Sequence, residues 1–312
     1  MTHTTQHRTA WQNIILIILL FPNSIIIIFA SVCDDTYHPT PDGMAEYYIN
    51  NTPISQFGII PTKSNGNIAI SGCFNLPKRK GTTYYDWVTD NSVEPYVESE
   101  DMDFDSRDIS ITGNIVSDSD SSLPLINDFM NELPELFTLS CKWGSWSVKC
   151  KSTTIETFTK SACKITIKFI EPLVNLSGTL PSPTENGEID GYKWTSFGLY
   201  LKEISNYQGI GAPKSLSTTQ NPSYSLYSKG GQEKTEITVS GMIIAENTEQ
   251  FKERIKSLYA LFGKAGIRTI NYREREIKCF CTNGFSVQNV FSIGKVYADF
   301  SCKLIVISNE RI

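Results

Sequence analysis

The chain has 312 residues, enough for about two domains of ordinary size. Its 28 basic and 33 acidic residues leave a net charge of −5, so no excess of cations neutralises phosphates. That excludes a nucleic-acid binder driven by counterion release, although it suits a surface that nucleic acid passes without adhering.

The first 43 residues differ from the rest. Residues 11–32 are nearly all Ile, Leu and Phe, interrupted by Pro22-Asn23-Ser24. About 18 apolar residues is the usual threshold for a membrane span, so one reading is a signal or anchor segment. Only Arg8 and histidines precede it, a poor charged flank, and Val32 before Cys33 departs from a lipoprotein cleavage pattern. The other reading places the native start at Met44, which makes residues 1–43 an extension ahead of the gene product.

Beyond Met44, residues 47–60 read as a strand pair turning at Asn50-Asn51. Ser64-Asn65-Gly66-Asn67 is a further turn, followed by a short strand to Ser71. Pro77-Lys78-Arg79-Lys80-Gly81 is a basic loop, expected to be solvated. Tyr84-Tyr85-Asp86-Trp87 reads as a strand or an interface aromatic cluster. Residues 94–108 form the most acidic stretch. Asp101, Asp103 and Asp105 invite a calcium loop, but Ser106 and Thr112 stand where that pattern requires Gly and Glu, so a solvated acidic loop is expected. Residues 143–146 suggest a hairpin, and residues 153–170 two strands. The Pro-, Ser- and Gly-rich stretch 173–191 reads as a linker. Residues 192–205 read as a strand, 207–234 as an extended arm, and residues 268–281 and 289–307 as strand pairs with Asn283-Gly284 as a hairpin turn.

One unit is written twice. Residues 107–115 and 235–243 each alternate apolar with polar residues and carry Gly113 and Gly241, read as the strand ends. Polar loops follow, then helices with apolar residues at helical spacing, 123–137 and 248–262. Lys149-Cys150 and Lys278-Cys279 come next, and closing strands at 163–170 and 298–307. Upstream, Phe57-Gly58 and Pro77-Lys78 match Phe197-Gly198 and Pro213-Lys214. The kept order predicts a duplication, with domains at 44–172 and 192–312 joined by the linker 173–191.

Little chemistry is on offer. The three histidines, His3, His7 and His38, all precede Met44, so the remainder lacks Ser-His or Cys-His nucleophilic sites and imidazole metal ligands. The eight cysteines, Cys33, Cys73, Cys141, Cys150, Cys163, Cys279, Cys281 and Cys302, contain no CxxC and read as buried reduced thiols. Glycine pairs at Gly209/Gly211 and Gly263/Gly266 follow no phosphate-loop pattern. No catalytic, cofactor-binding or metal residue is assigned, no cofactor is expected, and the expectation is that the chain is not an enzyme.

The order of Phe57-Gly58, Pro77-Lys78, strand, Gly113, acidic loop, single helix and antiparallel strands to Ile170 resembles the tail-tube and distal-tail fold of tailed bacteriophages. It is similar to baseplate hub proteins, twice over from Met44 to about residue 307. The resemblance implies a mainly β (α+β) protein of two tandem tail-tube-like β-sandwich or barrel domains, each flanked by one helix. It implies a structural protein of the phage tail tip, a distal tail or hub ring that continues the tube and lets DNA pass. The partners implied are further copies of the chain, as a trimer with pseudo-sixfold symmetry or a hexamer, and adjacent tail-tube and tail-tip proteins. DNA would pass through the lumen transiently, with the stretch 94–108 as a candidate lining. The location implied is the virion tail, after assembly in the host cytoplasm, with no stable membrane association. The alternative, resting on the apolar leader, is an exported or lipid-anchored β-rich binding protein.

Overall fold

The structure, a computed structural model, describes residues 14–21, 24–31, 46–87, 93–98, 101–117, 122–157, 159–221 and 224–307. Met44, the three histidines and Cys33 lie outside them. The chain divides into two compact units, Met1–Pro39 and Thr40–Ile312. In the first, the apolar stretch pairs with itself: β1 (Ile14–Phe21) runs antiparallel to β2 (Ser24–Ser31). Among the described residues no helix is long and apolar enough to cross a membrane.

Among the described residues the second unit is mainly β with two helices. It opens with β3 (Tyr48–Ile49) and β4 (Thr52–Pro53), which turn at Asn50 and Asn51, both at positive φ. One 3-10 turn, Ile54–Phe57, leads into β5 (Ile59–Pro61). Then come β6 (Ile70–Ser71), β7 (Tyr84–Asp86), β8 (Val93–Pro95) and the long β9 (Arg107–Val116). Helix α1 (Leu123–Glu132) precedes β10 (Phe137–Cys141), β11 (Gly144–Thr157) and β12 (Ala162–Glu171). A second 3-10 turn, Trp194–Phe197, leads into β13 (Leu199–Ser205). The remainder is β14 (Pro213–Asn221), β15 (Tyr224–Gln232), β16 (Glu236–Ala245), α2 (Thr248–Phe262), β17 (Arg268–Tyr272), β18 (Arg275–Ile293) and β19 (Lys295–Val306).

The two large sheets run in one order. The first places β5, β9, β12, β11 and β10 side by side, with β3 and β4 beyond β10 and with β6 also on β9. The second places β13, β16, β19, β18 and β17. With Gly113 set against Gly241 the registers coincide. Ile59 faces Ile115 as Leu199 faces Ile243. Ile165 faces Gly113 as Phe300 faces Gly241. Each 3-10 turn ends on a glycine in the left-handed region, Gly58 at φ 69° and Gly198 at φ 68°, which a residue with a Cβ adopts only with strain. Residues 144–148 of β11 pair with β10 and residues 149–157 with β12; β18 divides its length between β17 and β19 in the same way.

Several sequence expectations shift. Neither β9 nor β16 ends at its glycine; each runs on, to Val116 and to Ala245. The glycines are there because the edge strand passes close: a Cβ on Gly241 would lie 2.6 Å from the Tyr200 carbonyl oxygen, and one on Gly113 2.9 Å from that of Ile60. Helix α1 stops at Glu132 rather than residue 137, because Leu133 precedes Pro134 and takes an extended ψ of 117°. Asn283-Gly284 is not a hairpin turn but part of a bulge within β18, where the register shifts between Cys281 and Phe285. The turns of that region are Arg273-Glu274 and Gly294, all at positive φ. The two Lys-Cys pairs are offset: Lys149 faces Ile170, whereas Phe280 faces the corresponding Ile305.

One hydrophobic core runs through both sheets, from Ile49, Ile111 and Phe169 in the first to Val239, Phe262 and Phe300 in the second. A small satellite cluster, Val93, Phe280 and Ile305, lies where the β7–β8 hairpin meets the second sheet. The stretch 173–191 lies against the fold: a Cβ on Gly178 would meet the Lys256 backbone of α2, and Ile189 bridges to Ile270 of β17.

Candidate assembly interface

Helix α2 forms because its apolar residues recur at helical spacing and its start is capped. The Asn247 side chain accepts from the Gln250 backbone N–H at 2.9 Å, and Glu249 sits in the first turn beside the positive end of the helix dipole. The helix buries Phe251, Ile255, Leu258, Tyr259, Leu261 and Phe262. That is more than one face, because two surfaces cover it. Phe262 packs on Phe285 and Phe300 of its own sheet. Phe251 packs edge-on against Phe74 and Trp143, which belong to the end of the first sheet.

A buried polar triad pins this contact. Arg107, at the start of β9, donates from Nε and Nη2 to Glu171 Oε2 at 2.7 and 2.6 Å. Glu171 closes β12 directly opposite. Arg107 Nη1 donates to the Tyr259 hydroxyl of α2 at 2.6 Å and to the Asn75 carbonyl at 3.2 Å. Both ion-pair side chains keep only 5–6% of their surface exposed. Burial pushes the Glu171 carboxyl up, and the guanidinium pulls it back. Burial works to lower Arg107, but Tyr259 and Glu171 outweigh it and hold the guanidinium above its usual value. Burial also pushes the Tyr259 hydroxyl well up, so it stays protonated. Beside the triad lies an open groove of about 430 Å³, with Trp146, Asn175, Glu253 and Lys256 among its lining.

The basic and acidic loops, read separately as solvated, meet each other. Lys80 N–H donates to the Asp103 carbonyl, Asp105 N–H to the Lys78 carbonyl, and Lys78 Nζ lies 3.2 Å from Asp105. Arg79 is not solvated: it is buried and donates to the Lys264 carbonyl just past α2, where helix carbonyls lack partners. Asp101 and Asp103 remain exposed. Among the described residues no group of three or more His, Cys, Asp or Glu is placed to hold a metal ion.

The aromatic run at 84–87 splits by strand alternation. Tyr84 packs on Phe280, while Tyr85 packs at a tilt against Trp87 and Tyr96 on the outer face of the β7–β8 hairpin. The arm at 207–234 is the hairpin β14–β15, and Lys214 at its base ion-pairs with Asp86. The two hairpins, one from each half, therefore stand together.

The seven described cysteines are free thiols, five buried and two half-buried. Burial pushes the Cys73 and Cys279 thiols up. Cys281 and Cys302 lie with their sulfurs 3.9 Å apart. A hydrogen bond from Cys302 draws Cys281 down, while burial and that same bond raise Cys302.

No protein-family model matches the chain, and no curated protein matches it. Among solved structures it is similar to the Dit protein of phage SPP1, described as a paradigm of the hub adsorption apparatus in phages that infect Gram-positive hosts. The two share 8% identity, over 85% of this chain and 98% of that one, with a TM-score of 0.28. A likeness that distant assigns no role to any residue.

The triad was not legible in the sequence. Arg107 and Glu171 sit among ordinary strand residues 64 positions apart, and only the pairing of β9 with β12 brings them together. The one available signal was that Arg107 falls in phase with the inward apolar residues Ile109 and Ile111.

Proposed function

We propose that this chain is a structural component of a phage tail tip, a distal tail or hub protein that assembles with its own copies into a ring continuing the tail tube. The observation that supports this most is the repeat: two sheets of one strand order and one register, each with a single helix among the described residues, with α2 of the second half resting on the end of the first sheet. In this reading residues 44–172 and 192–312 are two copies of one tail-tube-like domain, joined through 173–191. Two copies in one chain suit a trimer with pseudo-sixfold symmetry, with a hexamer as the other arrangement. The open strand edges of such domains are what ring closure covers. The partners are further copies and the neighbouring tail-tube and tail-tip proteins; DNA passes through the lumen without stable binding. The exposed Asp101 and Asp103 suit a surface facing DNA, whereas Asp105 is occupied by Lys78. The chain acts in the virion, without catalysis or cofactor.

Negative-stain imaging of the full chain, alone and mixed with tail tubes of its phage, tests this. Rings with an open central channel, or density added at the tube's distal end, are expected. A compact monomer that ignores tubes and partitions into lipid vesicles overturns it. That result favours an exported or lipid-anchored β-rich binding protein, the reading that the apolar β1–β2 hairpin supports.

A further inference from the structure

The two helices sit alike on their own halves. Leu125 of α1 approaches Gly58 as Arg254 of α2 approaches Gly198. On that register Ile126 stands where Ile255 does, Phe129 where Leu258 does, Met130 where Tyr259 does, and Asn127 where Lys256 does. Their cover differs. Six residues of α2 are buried. In α1 Ile126 and Phe129 are buried, Met130 is half-buried and Asn127 exposed. Part of the difference comes from the end of the first sheet, which lies on α2 through Phe74, Trp143 and Arg107, and among the described residues no sheet end lies on α1 in that way.

The in-chain contact runs head to tail, from the helix of one repeat to the sheet end of the other. It leaves the second sheet with an equivalent end. There the turn Arg273-Glu274 stands where Lys142-Trp143 stands in the first sheet. Tyr207 and Tyr272 flank Arg273, with the guanidinium 5.5 and 5.3 Å from their ring centres. Arg273 and Glu274 are exposed. The chemistry at the two ends differs in step with the helices. The first sheet offers the charged pair Arg107 and Glu171, and α2 brings a hydroxyl, Tyr259. At the corresponding places the second sheet carries Thr235, already buried within the chain, and the half-buried Val306, and α1 carries a thioether, Met130.

We propose that a second copy of this chain docks the Asn127–Met130 face of its α1 on the second sheet's end, at Tyr207, Tyr272 and Arg273, repeating the contact that α2 makes inside the chain. The proposal rests on the repeat and ring reading above and adds a helix-to-sheet-end contact to the strand edges that ring closure covers. A head-to-tail contact of this kind propagates from copy to copy and closes where its rotation allows.

Native mass spectrometry of the full chain, with Asn127→Arg, Arg273→Glu and the double variant, tests it. Both positions are exposed, so melting temperatures should stay near wild type. The wild type is expected to form a closed oligomer. Asn127→Arg sets a cation against Arg273, and Arg273→Glu removes the cation–aromatic cluster. Each is expected to weaken assembly at least tenfold, and the double variant, with opposite charges facing, to recover most of it. Oligomers unchanged in both single variants overturn this contact while leaving the tail reading in place, because rings would then close elsewhere. A wild type that stays monomeric at every concentration also overturns it, whereas binding of that monomer to tail tubes would still support the tail reading.

Discussion

Arg107 Nη1 donates a 2.6 Å hydrogen bond to the Tyr259 hydroxyl, 152 residues away, and so joins the first sheet to the helix of the second. Arg107 is held at the same time by Glu171. Removing one member of a buried ion pair leaves the other charge unpaired, at about 3–5 kcal/mol, whereas replacing both with apolar residues of similar volume is often neutral. Arg107→Met is therefore expected to lower the urea unfolding free energy by about that amount, and Arg107→Met with Glu171→Met to recover most of the loss. A single variant as stable as wild type would show that Arg107 does not fasten the halves.

Tyr259 also sets an alkaline limit. Burial raises its hydroxyl in the folded state, so above the unfolded value of about 10 the unfolded chain gives up a proton that the folded chain keeps. Stability contributed by the neutral phenol is fully present below that value and is lost as pH rises beyond it. The raised thiols of Cys73 and Cys279 act in the same direction from about pH 8.5. Thermal melts between pH 8 and 11 should fall for the wild type and fall less steeply for Tyr259→Phe. Parallel slopes would remove Tyr259 from the account.

Gly241 makes room for a neighbouring backbone. Because its Cβ would lie 2.6 Å from the Tyr200 carbonyl, Gly241→Ala must push β13 away from β16. Overpacking of this kind costs roughly 1–3 kcal/mol. Gly113→Ala meets Ile59 and the Ile60 carbonyl at 2.9 Å and is expected to cost a similar amount. Chemical denaturation of both variants checks the pair together. A neutral result at either site would mean that its edge strand yields freely.

The cap on α2 is testable on its own. Asn247→Ala removes the acceptor for the Gln250 N–H and is expected to cost about 1 kcal/mol. On α1 the corresponding change, Ser122→Ala, removes no cap, because the Ser122 side chain makes no capping bond. Paired melts of the two variants should show a loss at 247 larger than the loss at 122.

Strand and helix placement was largely legible. Alternation marked β9, β12, β16 and β19, and helical spacing gave α2 its bounds. Local rules misled where a neighbour in space decided the outcome. Asn283-Gly284 carries hairpin chemistry, but β18 continues through it because Phe285 pairs both with Cys302 on β19 and, through its backbone, with Leu76 of the first half. The basic loop has the composition of a solvated loop, and nothing in sequence places Arg79 beside the Lys264 carbonyl.

The sequence by itself determined the recurring order of strand, glycine, helix and strand motifs and the absence of histidine beyond Met44, since these depend only on residue type and spacing along the chain. Tertiary structure alone decided that the two sheets share one register, that α2 of one half rests on the end of the other, and that Arg107, Glu171 and Tyr259 meet. Those facts depend on which surfaces lie opposite one another once the strands have paired. Burial and charge pairing act across that space, between residues whose separation along the chain carries no signal of it.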